Sequence, residues 1–150
     1  MSDTRKTKSD TFSDNERAAI KERAAELKKA ARRGSAAEKA AADARDVLAA
    51  IAAMRQPDRA IAERIHDIVT TEAPDLAPKL WYGMPAYARS GKILCFFLSA
   101  EKEKARYSTF AFNAEATLDD GTMWPTSFAL TDMTEAHAAT ITALVRKAVG

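Results

Sequence analysis

The sequence predicts an α+β fold, in which a mostly antiparallel sheet of about 4–5 strands packs with helices behind an N-terminal helical hairpin. Two observations support this prediction. Apolar residues recur at helical spacing through the first half of the chain and again at its end, whereas the segments between positions 79 and 130 carry strand-like patterns. Helices, then strands, then a helix is the element order of an α+β domain.

The composition indicates one compact domain with a real hydrophobic core, since the chain has 150 residues and a mass of 16.3 kDa. Cys95 is the single cysteine, which excludes an intrachain disulfide and favours a reducing compartment. Residues 1–11 are polar and predict a disordered tail without a signal-peptide pattern. We therefore expect a soluble cytoplasmic protein with no membrane partner.

Residues 12–55 predict two helices joined by a turn at Gly34. Ser13 and Ser35 each precede a glutamate by three positions, the spacing of a capping box, and Phe12 occupies the position of a hydrophobic staple. The predicted inner face of the first helix is Ile20, Ala24, Leu27 and Ala31. The predicted inner face of the second helix is Ala40, Ala44, Val47, Leu48, Ile51 and Met54.

Residues 56–150 predict the main α+β domain. Pro57 suits the start of a third helix, which must end before Pro74 because the residue before a proline avoids the α region. Thr134 can cap a final helix that ends near Gly150. The predicted extended segments are 79–82, 85–88, 93–98, 107–112 and 127–130, with a turn at residues 89–92.

A dense aromatic stretch, Trp81-Tyr82-Gly83-Met84-Pro85-Ala86-Tyr87, precedes Gly91-Lys92 and the apolar run Ile93-Leu94-Cys95-Phe96-Phe97. This pattern resembles the YdhG-like family, a bacterial domain of unknown function. Tyr107, the pair Gly121-Thr122 and a helix ending at Lys147 follow in the family's order, so the resemblance covers about residues 58–149. It implies a small α+β domain, and one branch of the family is described as a frataxin-like iron chaperone.

The aromatic residues give the main candidate for a binding site. Amphipathic rings with polar tips commonly line sites for small ligands or partner peptides, and a nearby cation can bind an acidic group. The candidate residues are Trp81, Tyr82, Met84, Tyr87, Tyr107 and Trp124, with Arg106 and Lys92 as the cations. We expect them to form one aromatic rim for a small molecule, a metal or a protein partner. The alternative is that the rings close the end of the core.

Iron is the metal to consider, because of the family resemblance. The local candidate is Glu63, His66 and Asp67, whose spacing places them along one side of the third helix. Carboxylate and imidazole ligands suit iron. The alternative for these residues is an ordinary solvated helix face.

The sequence favours a non-catalytic role. It contains no phosphate-binding loop, no dinucleotide-binding glycine pattern and no His-Glu-x-x-His motif, and Cys95 lies in the middle of a predicted strand. Ligand binding at the aromatic rim and frataxin-like iron handling are the first two hypotheses. The third is an interaction of the basic hairpin at residues 12–55 with nucleic acid or protein. Because acidic residues are interspersed among its basic residues, the pattern does not favour nucleic acid.

Overall fold

The computed structural model describes residues 13–32 and 34–150, so the predicted tail at residues 1–11 and the staple residue Phe12 lie outside the described residues. Its described helices are α1 (Asp14–Arg32), α2 (Ala36–Ala52), α3 (Asp58–Glu72), α4 (Ala100–Glu103) and α5 (Glu135–Ala148). Its described strands are β1 (Ala77–Trp81), β2 (Met84–Arg89), β3 (Lys92–Leu98), β4 (Ser108–Phe112) and β5 (Ser127–Leu130). The predicted α+β class is confirmed.

The five strands form one antiparallel sheet in the order β1-β2-β3-β4-β5. Directly paired residues share a face of a sheet. The pairs Tyr87–Cys95, Cys95–Phe112 and Phe97–Phe110 therefore define one face, which we call the core face. Its side chains join a buried cluster with α2, α3 and α5.

The opposite face, which we call the outer face, carries a second set of apolar side chains. Trp81 pairs with Met84, and Phe96 pairs with both Ala86 and Ala111. None of these five residues belongs to the cluster beneath the helices or packs against it. The sheet therefore separates two groups of aromatic residues.

The helix α2 is part of the packed core. Val47 and Ile51 from its inner face are buried, whereas Ala40 and Leu48 of the predicted face are exposed. The core thus extends across the predicted boundary between residues 55 and 56. The cap of α2 matches its prediction, since the Ser35 hydroxyl accepts a hydrogen bond from the Glu38 amide at 3.2 Å.

The orientation of α1 contradicts the prediction made from its apolar stripe. All four predicted inner residues are exposed, namely Ile20, Ala24, Leu27 and Ala31. The partly buried residues of α1 are instead Asn15, Ala19, Glu22, Arg23, Glu26 and Ala30. The helix docks through a largely polar side because Glu26 accepts from amides of the β1–β2 turn and Glu22 accepts from Lys102 of α4. In the described ranges, no helix has the length and apolar character needed to cross a bilayer.

Candidate ligand-binding site at the β1–β2 turn

The predicted aromatic rim is not assembled as one surface. Trp81 lies on the outer face, where its ring centroid is 5.2 Å from that of Tyr82 and 5.3 Å from that of Phe96. Trp124 lies in the loop before β5 and packs against the buried cluster on the core face. The two indoles therefore lie on opposite faces of the sheet.

Tyr87 is an interior residue, which corrects its prediction as part of an open rim. It is fully buried on the core face, and its hydroxyl lies 2.9 Å from Nδ1 of His66, within hydrogen-bonding distance. Burial raises the pKa of the Tyr87 hydroxyl far above its ordinary range, and it raises the pKa of the neighbouring Cys95 thiol to about 12. Both groups stay neutral, so this part of the core offers neither a reactive thiolate nor an accessible ring.

The remaining residues of the predicted aromatic rim lie apart from the β1–β2 turn. Arg106 places its guanidinium 5.2 Å from the centroid of the Tyr107 ring, and both residues are exposed in the segment before β4. Lys92 is exposed at the start of β3, beside the β2–β3 turn. Of the predicted set, only Trp81, Tyr82 and Met84 are gathered around the β1–β2 turn.

The predicted metal ligands do not form a metal site. The Glu63 carboxylate lies 3.6 Å from the Arg59 guanidinium, and the His66 ring is engaged by Tyr87. Across residues 13–32 and 34–150, no three His, Cys, Asp or Glu side chains come together as a metal would require. Glu63, His66 and Asp67 share a helix, but they do not converge on one point.

The β1–β2 turn presents two consecutive backbone amides to a carboxylate. Tyr82 and Gly83 both have positive φ, 52° and 76°, as in the tight turns that join twisted antiparallel strands. The Tyr82 amide donates to Glu26 Oε1 at 3.0 Å, and the Gly83 amide donates to Glu26 Oε2 at 2.8 Å. One carboxylate from α1 thus accepts from both turn amides.

Two cationic side chains lie beside the contact between Glu26 and the turn amides. The Lys102 ammonium, from α4, donates to the Glu22 carboxylate. Arg23 lies 3.4 Å from Glu26 and places its guanidinium 6.0 Å from the Tyr82 ring centroid. The side chain of Glu26 is only 14% exposed, so its charge is partly withdrawn from water. Hydrogen bonds to a charged group in such a position are stronger than those between neutral groups.

Three concavities meet at the turn. The largest, about 410 Å³, lies between α1, α2 and β1 and includes Glu26, Asp43, Leu80 and Gly83 in its lining. A second, about 330 Å³, reaches Met54, Met84 and Lys102, and a third, about 280 Å³, reaches Tyr82 and Leu98. We call this region, with the two turn amides, Lys102 and the adjoining rings of Trp81 and Tyr82, the turn site.

Gly83 is needed for the close approach of α1. A Cβ atom built at this position would collide with the carboxylate of Glu22 and would come within 3.0 Å of Lys102 Nζ. The second tight turn of the sheet is a natural comparison, because Ser90 and Gly91 also have positive φ, 53° and 80°. A Cβ atom at Gly91 would meet nothing within 4 Å. The two turns share a backbone geometry and differ in what covers them.

Sequence reasoning did not identify Glu22, Glu26 and Lys102. The two glutamates are four positions apart, but the same spacing occurs on many exposed helix faces. Lys102 lies 80 residues from Glu22, and no local pattern connects the two positions. Their role depends on tertiary contacts.

Comparison with protein-family models, with curated proteins and with solved structures finds no match to this chain. The resemblance to the YdhG-like family therefore stays a prediction.

Proposed function

We propose that this protein is a non-catalytic binding domain that takes the carboxylate group of a ligand at the turn site. The observation that supports the proposal is the contact of Glu26 with the Tyr82 and Gly83 amides. Successive amides in a turn form a concave donor site that suits anions. Here that site holds a carboxylate, so the chemistry that it accepts is already present within the chain.

The surroundings of the turn fit a ligand of this class. Lys102 supplies a positive charge beside the amides, and the ring of Tyr82, stacked edge-on against Trp81, supplies an apolar wall. The adjoining clefts give space for the rest of a ligand. Apolar walls with a few convergent polar groups are typical of ligand sites.

The proposal is tested by titrating the full chain with glutarate, a dicarboxylate that carries the same terminal group as a glutamate side chain. The Glu26→Gln variant, labelled with ¹⁵N, is used so that the competing charge is removed. We expect saturable shifts of the Tyr82 and Gly83 amide resonances. Wild type should respond less at each glutarate concentration, because its own Glu26 occupies the amides.

The second turn provides an internal control. Ser90 and Gly91 also have positive φ, but apart from its chain neighbours no residue comes within 4 Å of a Cβ atom built at Gly91, so no helix covers that position. Their amides should not shift beyond the change caused by sodium chloride at matched ionic strength. Equal shifts at the two turns, or no saturable shift at Gly83, would overturn the proposal.

A further inference from the structure

We infer that the ligand of the turn site is an acidic α-helical segment of a partner protein, and that α1 is its intramolecular stand-in. This inference rests on the function proposed above and names the class of partner. The supporting observation is the docking of α1. The helix presents glutamates to the turn and leaves its apolar stripe in solvent.

The docked face of α1 has a repeated spacing. The partly buried positions Asn15, Ala19, Glu22, Glu26 and Ala30 follow one another at intervals of four, three, four and four residues. Positions three and four apart lie on one side of a helix. The middle of this side is acidic, and alanines flank it. Small flanking residues and Gly83 together let the helix backbone approach the turn.

The two glutamates meet two different donor groups. Glu22 accepts from the Lys102 ammonium, and one helical turn further on Glu26 accepts from the two turn amides. The two donor groups adjoin each other, since a Cβ atom built at Gly83 would lie 3.0 Å from Lys102 Nζ, and they receive carboxylates from successive turns on one side of the helix. The site selects two carboxylates at i and i+4 on a helix, which a single free carboxylate cannot satisfy.

The apolar residues of α1 contribute little to its docking. Ile20 and Leu27, the largest apolar side chains of α1, are 51% and 55% exposed. A cleft lies beside the helix, with Leu80 of β1 and Ala30 of α1 in its wall. A partner helix that carries the same two glutamates and places larger apolar side chains against Leu80, on the wall that β1 supplies, would bury more apolar area than α1 does. Such a helix can replace α1.

The test uses peptides added to the full chain. The ligand peptide has the sequence of residues 13–32, and the receptor is the Glu22→Gln, Glu26→Gln variant, whose own α1 is weakened. Binding is measured by the fluorescence anisotropy of a label at the peptide C-terminus. We expect saturable binding, and weaker apparent binding to the wild-type chain because its α1 competes.

Two altered peptides distinguish the effect of glutamate position on binding from the effect of the peptide's net charge. The Glu22→Gln, Glu26→Gln peptide should bind at least about tenfold more weakly, because it loses charged acceptors to both donor groups. The Asp14→Asn, Glu16→Gln peptide has the same net charge but keeps the i, i+4 pair, so it should bind like the unaltered peptide. Equal loss in the two altered peptides would overturn the inference.

The outcomes also distinguish this inference from the proposed function. If glutarate shifts the Gly83 amide but no peptide binds, the acidic helix is the wrong partner class and the carboxylate site remains. If neither glutarate nor the peptide binds, both proposals fail. Circular dichroism of the receptor variant guards against loss of fold, and the wild-type competition experiment supplies an independent measurement with an unmodified chain.

Discussion

Replacing Glu26 by Gln should release α1 without unfolding the domain. Gln keeps one acceptor oxygen, but it removes the charge and presents an NH₂ group to one of the two turn amides. A hydrogen bond to a charged group contributes about 1.5–3 kcal/mol. Because Glu26 is 14% exposed, the loss is not strongly screened by solvent. We expect α1 docking to weaken by about 1.5–3 kcal/mol.

Amide hydrogen exchange measures this loss where it occurs. About 1.4 kcal/mol corresponds to a tenfold change in an equilibrium constant, so exchange in the middle of α1 should accelerate by roughly ten- to a hundredfold. An undocked helix of this length is marginal in water, which makes the exchange sensitive to docking. Exchange in α3 and in the central strands should be unchanged.

The matched control is Glu16→Gln, an exposed glutamate on the same helix. It changes the net charge of α1 equally, but it removes none of the contacts that Glu26 makes with the turn amides. Its effect on exchange in the middle of α1 should be much smaller. Unchanged α1 exchange in Glu26→Gln, or equal acceleration by the two variants, would refute the reasoning.

Three further predictions address the turn, the core and the half-buried His66. Gly83→Ala and Gly91→Ala should each cost about 1–2 kcal/mol for a positive φ, but only Gly83→Ala should accelerate exchange in α1, because its Cβ collides with α1. Ile51→Ala should lower the free energy of unfolding by about 2–5 kcal/mol in urea titrations, whereas exposed Leu48→Ala should change it by less than about 0.5 kcal/mol; equal effects would contradict a core role for α2. Burial lowers the pKa of His66 in the folded chain below its ordinary value of 6.5. As the pH falls, the imidazole is therefore protonated first in the unfolded chain, so the free energy of unfolding should be full above about pH 6.5 and should decrease below it. The His66→Gln variant should show a smaller decrease.

Local patterns were sufficient to predict every described element except the short helix α4. The runs in β2 to β5 are short, apolar or alternating, and bounded by turn residues, and all five predicted extended segments correspond to strands. Thr134 caps the last helix as predicted, since its hydroxyl accepts from the His137 amide at 3.1 Å. Caps and turns depend on neighbouring residues, so a sequence displays them directly.

The face of α1 could not be predicted in the same way. An apolar stripe predicts the buried face only where apolar burial dominates docking. Here Ile20 and Leu27 are exposed because Glu22 and Glu26 find a lysine and two backbone amides on the other side. Those donors come from positions 56 to 80 residues away in the chain. Helical periodicity contains no information about them.

The prediction of a single aromatic rim was wrong for a related reason. Trp81 and Trp124 lie in segments that the sequence correctly marks as aromatic, but their faces depend on strand register and on the path of the loop before β5. A shift of one residue reverses the face of a strand side chain. The aromatic composition therefore indicated that the β1–β2 turn is a structurally important segment, but it did not show which rings surround that turn.

The most direct measurement of the central claim is an isotope-filtered NOE experiment on the labelled wild-type chain with the unlabelled peptide of residues 13–32. The account predicts that, at saturation, the Gly83 amide proton shows NOEs to the γ protons of a peptide glutamate and loses those to Glu26 of the chain. Peptide binding that leaves the NOEs between Gly83 and the chain's own Glu26 intact would contradict it.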